Sequence, residues 1–292
     1  MTGLSLGLVL VAAFLHATWN LLAKRAGQGG PEFVWLFGVI STVLYLPVVV
    51  VVLVVGRPHL GGAQFAFMLG SGCLHTCYFT ILQRGYREGD LSLVYPLARG
   101  TGPMLSTIAA IAFLGERPTA LALVGAACVC IGVFVVGSAA TPKRSGGAKG
   151  RVIGSAATFG LLTGCIIATY TLWDKHAVTN LAIPAVVLDW GANAVRAALL
   201  TPRAVRRLDV AREVWGRHRN EAIGVGILSP LAYILVLTAL SVSPVSYVAP
   251  AREASILIGT IFGVHLLKEG RTAVRLTGAA AIVAGLVFLA LG

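Results

Sequence analysis

Long apolar stretches dominate the chain, and the short segments between them collect most of its charged residues. Ten of these stretches have the roughly 20 residues that a helix needs to cross the hydrocarbon core of a bilayer. They cover residues 4–23, 33–56, 62–83, 91–114, 119–139, 152–173, 181–201, 222–243, 246–267 and 273–291. Strand-like alternation of apolar and polar residues does not occur, so the pattern predicts an all-α membrane protein with ten transmembrane helices rather than a β-barrel.

The overall composition agrees with this interpretation. Of the 292 residues, 57% are hydrophobic and 12% are charged, whereas an average soluble domain carries about 25% charged residues. A soluble chain of this size cannot hide so much apolar surface from water. The composition therefore excludes an ordinary soluble enzyme, a disordered chain and a disulfide scaffold.

The formal net charge of +12 arises from basic residues that lie mostly between the apolar stretches. This placement is typical of cytoplasmic loops that contact anionic lipid headgroups, and it does not indicate a nucleic-acid partner. Residues 202–221 place Val205, Leu208 and Trp215 at helical spacing among arginines. We expect a short amphipathic helix there, lying on the membrane surface.

Known cofactor motifs are missing. Cys73, His75 and Cys77 alternate within one apolar stretch, where cysteine serves as a small hydrophobic residue rather than a metal ligand. The sequence contains neither a nucleotide-binding G-x-x-x-x-G-K-[ST] motif nor an H-E-x-x-H zinc motif. We therefore expect no metal, no cofactor and no direct use of ATP. An intramembrane lipid or acyl transferase, or a membrane partner without transport activity, remains the alternative to a transporter.

The two halves of the chain repeat one pattern. Arg99 and Glu116 are 17 residues apart, and so are Arg252 and Glu269. The offset between the halves is 153 residues, or 154 just upstream, and it also aligns Gly125 with Gly278, Gly132 with Gly285, and Pro96 with Pro250.

This repeat predicts two five-helix units, residues 1–139 and 152–292, joined by a small basic linker at residues 140–151. Because five is an odd number, the second unit enters the membrane in the opposite orientation to the first. An inverted repeat of this kind builds a site near the middle of the bilayer, and its halves expose that site to either side in turn. The parity therefore favours an alternating-access transporter.

Five short segments extend this argument to a family: residues 16–24, 89–99, 114–116, 250–254 and 267–269. Through them the chain resembles the drug/metabolite transporter superfamily, in its EamA-like ten-helix group, over nearly its whole length. The resemblance implies export or exchange of amino acids, metabolites or drugs. The opening His-Ala-x-Trp-Asn also resembles a subgroup suggested to handle phosphonates.

Charged residues inside the apolar stretches are the main candidates for a site, because an ionised group near the bilayer centre tends to face protein or a wet cavity. Arg99 and Arg252 are equivalent in the repeat, and each follows a proline, Pro96 or Pro250, that loosens its helix. Two guanidinium groups suit a carboxylate, a phosphate or a phosphonate. Structural ion pairs with nearby carboxylates are the alternative, and Glu253 could instead take up a proton.

Other polar and aromatic side chains complete the predicted site. Asp189, Asn193 and Arg196 share one helix face, which lines a cavity or joins helices through a polar ladder. The alternative for Arg196, which lies closer to the end of that stretch, is to snorkel toward the membrane surface. The predicted substrate-binding residues are His16, Trp19, Asn20, Tyr78, Tyr95, Arg99, Tyr170, Asp189, Trp190, Asn193, Arg252 and Glu253.

Four further residues are assigned to structure rather than to binding. Glu116 and Glu269 lie at the ends of the fourth and ninth stretches. We expect them to orient short turns through the backbone amides of the next helix. Pro96 and Pro250 are the other two.

These features together predict a secondary active transporter, an exporter or exchanger, of a small polar metabolite that is anionic or zwitterionic. We expect it in the cell membrane, as a monomer or homodimer, with a proton or a counter-substrate as its driving partner. The loops at one side carry 17 basic residues and those at the other side carry 3. The positive-inside rule then places both termini outside the cell, whereas the family resemblance implies that they are inside.

A reporter fused after Gly292 distinguishes the two orientations. Because the basic loops are held in the cytoplasm, we expect an alkaline phosphatase fusion to be active and a green fluorescent protein fusion to be dark. The same pair of reporters fused within residues 140–151, a basic segment, should give the opposite result. A fluorescent carboxyl-terminal fusion contradicts the orientation.

Overall fold

The computed structural model describes residues 1–26, 30–88, 91–138, 149–258 and 272–292, and nearly all of these residues are helical. The helices are α1 (Gly3–Arg25), α2 (Gly30–Gly56), α3 (Gly62–Glu88), α4 (Leu91–Leu114), α5 (Ala120–Ser138), α6 (Lys149–Thr179), α7 (Ala185–Arg206), α8 (Leu208–Val242), α9 (Val245–Ala251) and α10 (Thr272–Leu291). After α9 the chain turns at Arg252 and Glu253 and is helical again at residues 254–258. The prediction of an all-α protein is confirmed, and the described residues contain no strand.

The outer surface of the bundle is apolar. Seven helices, α1 to α5, α8 and α10, are long and apolar enough to cross a membrane. Val54 and Val55 of α2 and Phe113 of α4 are 65%, 78% and 81% exposed, and such a surface is stable only against lipid. The chain is therefore a multi-pass membrane protein. Of the other three helices, α9 is only seven residues long, whereas α6 and α7 are less apolar because they carry charged residues, among them Asp174, Asp189 and Arg196.

The helices of the two halves interlock and do not form two separate bundles. α1 packs on α8, α2 packs on α8, and α4 packs on α6. Each of these pairs has a counterpart five helices away, namely α6 on α3, α7 on α3, and α9 on α1. α2 also packs on its own counterpart α7, as α4 does on α9 and α5 on α10. A duplicated five-helix unit produces this exchangeable set of contacts.

Glycines let α5 and α10 approach until their backbones touch. A Cβ atom at Gly125 would lie 2.8 Å from the carbonyl oxygen of Gly285, and one at Gly132 would lie 2.6 Å from that of Gly278. The later glycine of α5 meets the earlier glycine of α10, so the two helices are antiparallel. An inverted repeat requires this of its two last helices. The repeat boundaries stay predictions, and residues 140–148 of the expected linker lie outside the described residues.

The predicted surface helix coincides with the start of α8. α7 ends at Arg206, α8 begins at Leu208, and His218 breaks the helical geometry with φ of −132° and ψ of 28°. Before this kink Ala211 is buried while Trp215 is 40% exposed. The segment therefore has one face against the protein and one face outward, as an amphipathic helix does.

The glycine contact predicts that glycine-to-alanine substitutions at two different positions have very different effects on the stability of the protein. Gly132→Ala places a methyl group 2.6 Å from the Gly278 carbonyl oxygen and 2.9 Å from the Ile282 nitrogen. Backbone atoms cannot yield cheaply, so we expect a loss of about 1–3 kcal/mol, the usual effect of overpacking. The measurement is thermal unfolding of the purified protein in detergent, followed by tryptophan fluorescence.

Gly7→Ala is the matched control, because a Cβ atom there meets nothing within 4 Å. An alanine in an exposed helix is at least as favourable as a glycine, so this variant should not lower the melting temperature. Equal melting temperatures for the two variants would show that α5 and α10 are not in backbone contact.

Candidate functional site

A small cavity lies between the two halves of the bundle. About 70 Å³ of it is accessible to the centre of a water molecule, which holds a few waters, since one water needs roughly 10–15 Å³ by this measure. α1, α3 and α4 contribute to its wall from the first half, and α6, α7, α8 and the turn after α9 contribute from the second. Its polar and aromatic lining residues are His16, Trp19, His75, Tyr78, Phe79, Arg99, Tyr170, Asp189, Asn193, Arg196, Ser229, Tyr233 and Arg252.

The structure brings together most of the residues that the sequence suggested for binding. Eight of the twelve line the cavity: His16, Trp19, Tyr78, Arg99, Tyr170, Asp189, Asn193 and Arg252. Asn20 does not, since its amide donates to the carbonyl oxygen of His16 at 2.7 Å in the same helix. Trp190 is also directed elsewhere, and its indole N–H donates to the carbonyl oxygen of Thr42 in α2 at 2.8 Å. The side chain of Tyr95 lies outside the described residues.

Glu253 lies behind the cavity wall and pairs with Arg99. Arg99 Nε is 3.0 Å from Glu253 Oε2, and the two side chains are 6% and 1% exposed. Arg99 Nη2 also donates to the hydroxyl of Ser255 at 3.0 Å. A buried carboxylate needs such a partner, because an uncompensated charge away from water is very costly. The pair therefore joins α4 to the turn that follows α9, and Arg99 is engaged within the protein.

Arg252 differs from its repeat counterpart Arg99 in its contacts. It is 5% exposed and lines the cavity, and its Nε lies 3.9 Å from Glu253 Oε1, beyond hydrogen-bond distance. Among the described residues, its Nε and Nη2 atoms have no hydrogen-bond partner. Buried donors without acceptors cost about 1–3 kcal/mol. Arg252 is thus suited to receive an acceptor from the cavity.

The polar face of α7 forms a chain of hydrogen bonds along the cavity wall. Arg196 Nη2 donates to Asn193 Oδ1, and Asn193 Nδ2 donates to Asp189 Oδ2 at 2.9 Å. The Arg196 guanidinium lies 5.3 Å from the ring centre of Phe37 and 5.1 Å from that of Phe79, a cation–π arrangement. Arg196 is 7% exposed and lies on the cavity wall with Asp189 and Asn193, so the three residues share one face and Arg196 does not take the alternative position at the membrane surface.

Sequence analysis did not assign the hydrogen-bonded group of His75, Asp174 and Tyr233 to the site. His75 Nε2 lies 3.1 Å from Asp174 Oδ2, and the Tyr233 hydroxyl donates to that oxygen at 2.5 Å. The sixth predicted stretch ends at residue 173, which places Asp174 in the segment between two transmembrane helices. α6 instead continues to Thr179, and the spacing of four between Tyr170 and Asp174 was the signal that one helix face carries both.

Glu116 connects the two halves outside the cavity. Its carboxylate accepts hydrogen bonds from the backbone amides of Val245 at 2.7 Å and Ser246 at 2.9 Å, the first residues of α9. Gly115 has φ of 68°, which lets the chain turn sharply before it. The glutamate therefore caps α9 rather than the next helix in the chain. Pro250 lies buried in α9, while Glu269 and the side chain of Pro96 lie outside the described residues.

Comparison with known proteins identifies the fold. Residues 3–138 match the sequence model of the EamA-like transporter family. A crystal structure described only as that of a protein aligns with a TM-score of 0.81 and 16% identity, covering 100% of this chain and 98% of that one. At this identity the likeness shows the fold alone, and no curated protein matches the sequence. Residues 3–138 are thus similar to the EamA-like transporter family, and the whole chain has the fold of the aligned crystal structure.

Proposed function

We propose that the protein is a secondary active transporter, an exporter or exchanger, of a small anionic or zwitterionic metabolite. The family to which residues 3–138 are similar is a transporter family, which supports transport in general. The observation that supports the substrate class is Arg252, whose buried donors face the shared cavity without an acceptor. A carboxylate or phosphate group would complete them with charged hydrogen bonds.

The balance of charges on the cavity wall also favours an anionic group. Arg196 and Asp189 are connected through Asn193, and Arg99 is paired with Glu253. Arg252 has two buried donor nitrogens without a hydrogen-bond partner, Nε and Nη2, whereas Arg196 has one, Nε, among the described residues. Because bound anions gain most where a positive charge is both buried and unsatisfied, the acidic group of the substrate belongs beside Arg252.

A zwitterion would find a second partner on the same wall. Asp189 is 6% exposed and lines the cavity, so its carboxylate is available to an ammonium group. The aromatic residues Trp19, Tyr78 and Tyr170 surround the same space and could contact the apolar part of a small molecule. The cavity is too small for a large substrate in this conformation, which favours a metabolite over a bulky drug.

Alternating access follows from the position of the cavity between two units of opposite orientation. In such transporters the halves rock about a fixed central site. The antiparallel contact of α5 with α10 holds the halves together at one side while the cavity-lining helices change their packing. We propose that this occurs in the plasma membrane with both termini outside, in a monomer or homodimer, driven by a proton or a counter-substrate.

Reconstitution tests the transport proposal. A thermal-shift screen of carboxylates, amino acids, phosphonates and amines on the purified protein first selects stabilising solutes. Proteoliposomes preloaded with each unlabelled solute should then take up the labelled solute by counterflow, and protein-free liposomes should not. Stabilisation without counterflow for every selected solute would contradict transport and favour a binding or enzymatic role.

The two repeat-equivalent arginines should respond differently to the same substitution. Arg252→Gln removes the donors that face the cavity, so we expect anion affinity to fall by roughly 1.5–3 kcal/mol, or about 10- to 150-fold, with little loss of folding stability. Arg99→Gln leaves Glu253 buried without its main partner, so we expect a lower melting temperature, since breaking such a pair costs about 3–5 kcal/mol.

The double variant Arg99→Gln, Glu253→Gln serves as the control, because it removes both charges and should recover much of the lost stability. Affinity is measured by the thermal-shift dose response, and stability by thermal unfolding without solute. Unchanged anion affinity in Arg252→Gln would remove this residue from the binding site.

A further inference from the structure

In the hydrogen-bonded group of His75, Asp174 and Tyr233, two members reach the cavity and the third is buried behind them. His75 and Tyr233 line the wall, and the His75 side chain is 13% exposed. Asp174 is 0% exposed and does not line the cavity. Its Oδ2 faces both partners, and its Oδ1 has no hydrogen-bond partner among the described residues. A fully buried carboxylate is thus separated from the cavity by one imidazole and one phenol.

The ring contacts hold this group in place. His75 stacks on Tyr170 with 4.3 Å between ring centres and meets the edge of Tyr233 at 5.1 Å. Three helices, α3, α6 and α8, supply these residues, so the imidazole can turn little without disturbing two rings. Its Nε2 therefore stays directed at Asp174.

We propose that His75 and Asp174 form a proton-binding site that is loaded from the cavity through His75. In the unloaded state the imidazole is neutral, carries its hydrogen on Nε2 and donates it to the ionised Asp174 Oδ2. A proton from cavity water then bonds to the lone pair of His75 Nδ1, leaving a hydroxide ion that the solvent neutralises. The imidazolium and the carboxylate form an ion pair, and the charge of the group changes from −1 to 0.

Other titratable and charged groups line the same cavity as His75 and Tyr233. They are His16 on α1, Arg99 on α4, Tyr170 on α6, Asp189 and Arg196 on α7, and Arg252 after α9. Arg252 interacts electrostatically with Tyr170 and Tyr233, and Asp174 interacts with Asp189. Lys175, although next to Asp174 in sequence, donates to the carbonyl oxygens of Leu240 and Ser243 at 2.6 and 3.1 Å.

Glu253 is the other buried carboxylate near the cavity and is less suited to this task. Arg99 lies 3.0 Å from it and Arg252 lies 3.9 Å from it, so its neighbours are two permanent cations rather than a group that can gain and lose a proton. Asp174 has no arginine at ion-pair distance in the described structure and relies on His75 and Tyr233. The His75 imidazole lines the cavity and has a basic ring nitrogen, so it is the group that a proton from the cavity can reach.

Loading this site would change the binding of an anion elsewhere in the cavity. One added positive charge favours an anionic group at Arg252, and by linkage the anion favours the proton equally. This coupling rests on the proposed function. The existence of the proton site does not, so the two can fail separately.

The test is ¹⁵N nuclear magnetic resonance of the histidine-labelled protein in lipid nanodiscs, with no solute present. The chain has six histidines, and His75→Gln identifies the His75 signal by its loss. We expect its ring nitrogens to change from neutral to imidazolium between about pH 9 and pH 5. In Asp174→Asn the midpoint should fall by about one to three pH units, because the adjacent negative charge is gone.

Tyr233→Phe should move the midpoint in the opposite direction. Without the phenol, Asp174 Oδ2 keeps its full charge for the imidazolium, so the midpoint should rise. A disturbed fold does not predict opposite shifts from two neighbours of one histidine. The matched controls are Asp209→Asn in the first turn of α8 and Tyr45→Phe, whose hydroxyl donates to the Ile227 carbonyl oxygen on the other side of α8; neither should shift His75.

Two results overturn the proposal. The first is a His75 signal that stays neutral, or stays imidazolium, over the whole pH range in the unsubstituted protein. The second is a midpoint that Asp174→Asn leaves unchanged. Should Asp174→Asn fail to fold, the rise in Tyr233→Phe decides the question, and an unchanged midpoint there overturns the proposal as well.

Discussion

Each ionised group inside the apolar layer needs compensation within the protein, and this constraint determines how the centre of the molecule is built. Arg99 and Glu253 neutralise one another across α4 and the turn after α9. Asn193 donates a hydrogen bond to Asp189 and accepts one from Arg196. The Arg196 guanidinium also lies near two phenylalanine rings. Once these contacts are made, Arg252 retains unsatisfied donors toward the cavity. The proposal of an anionic substrate rests on these unsatisfied donors of Arg252, and not on the number of arginines.

Close backbone contact supplies a second constraint, independent of charge. At the α5–α10 contact, a side chain on either glycine pair would collide with the facing carbonyl oxygen. The four glycines of the sequence repeat all lie at this contact, but they meet in crossed pairs, with Gly125 against Gly285 and Gly132 against Gly278, because the two helices are antiparallel. Within a membrane, where lipid competes with apolar packing, close approach through small residues is a principal source of helix association. In the transport cycle that we propose, this contact stays fixed and the cavity-lining helices move.

The helices and most of the candidate residues that line the cavity were predictable, because both depend on local properties of the chain. A stretch of apolar residues must be helical in a bilayer, since its backbone groups have no water to bond. A charged residue inside such a stretch must face protein, which is why Arg99, Asp189 and Arg252 were found before any fold was known. Asp174 was missed because it follows the apolar part of α6. The helix continues by one more turn into a region that is buried by α3 and α8, and sequence hydropathy does not register that burial.

Residue type and spacing alone predict the apolar helices, the duplicated pattern of arginine, glutamate and glycine, and the odd number of helices in each unit. Which side chains pair in ion pairs and hydrogen bonds depends instead on the packing of the helices. Packing placed Glu253 closer to Arg99 than to Arg252, directed Trp190 to Thr42, and kept Arg196 on the cavity wall. It also brought His75 to Asp174 across 99 residues of sequence. Pairing depends on how helices from different parts of the chain cross, and two equivalent positions in a repeat acquire different partners when the surrounding helices differ.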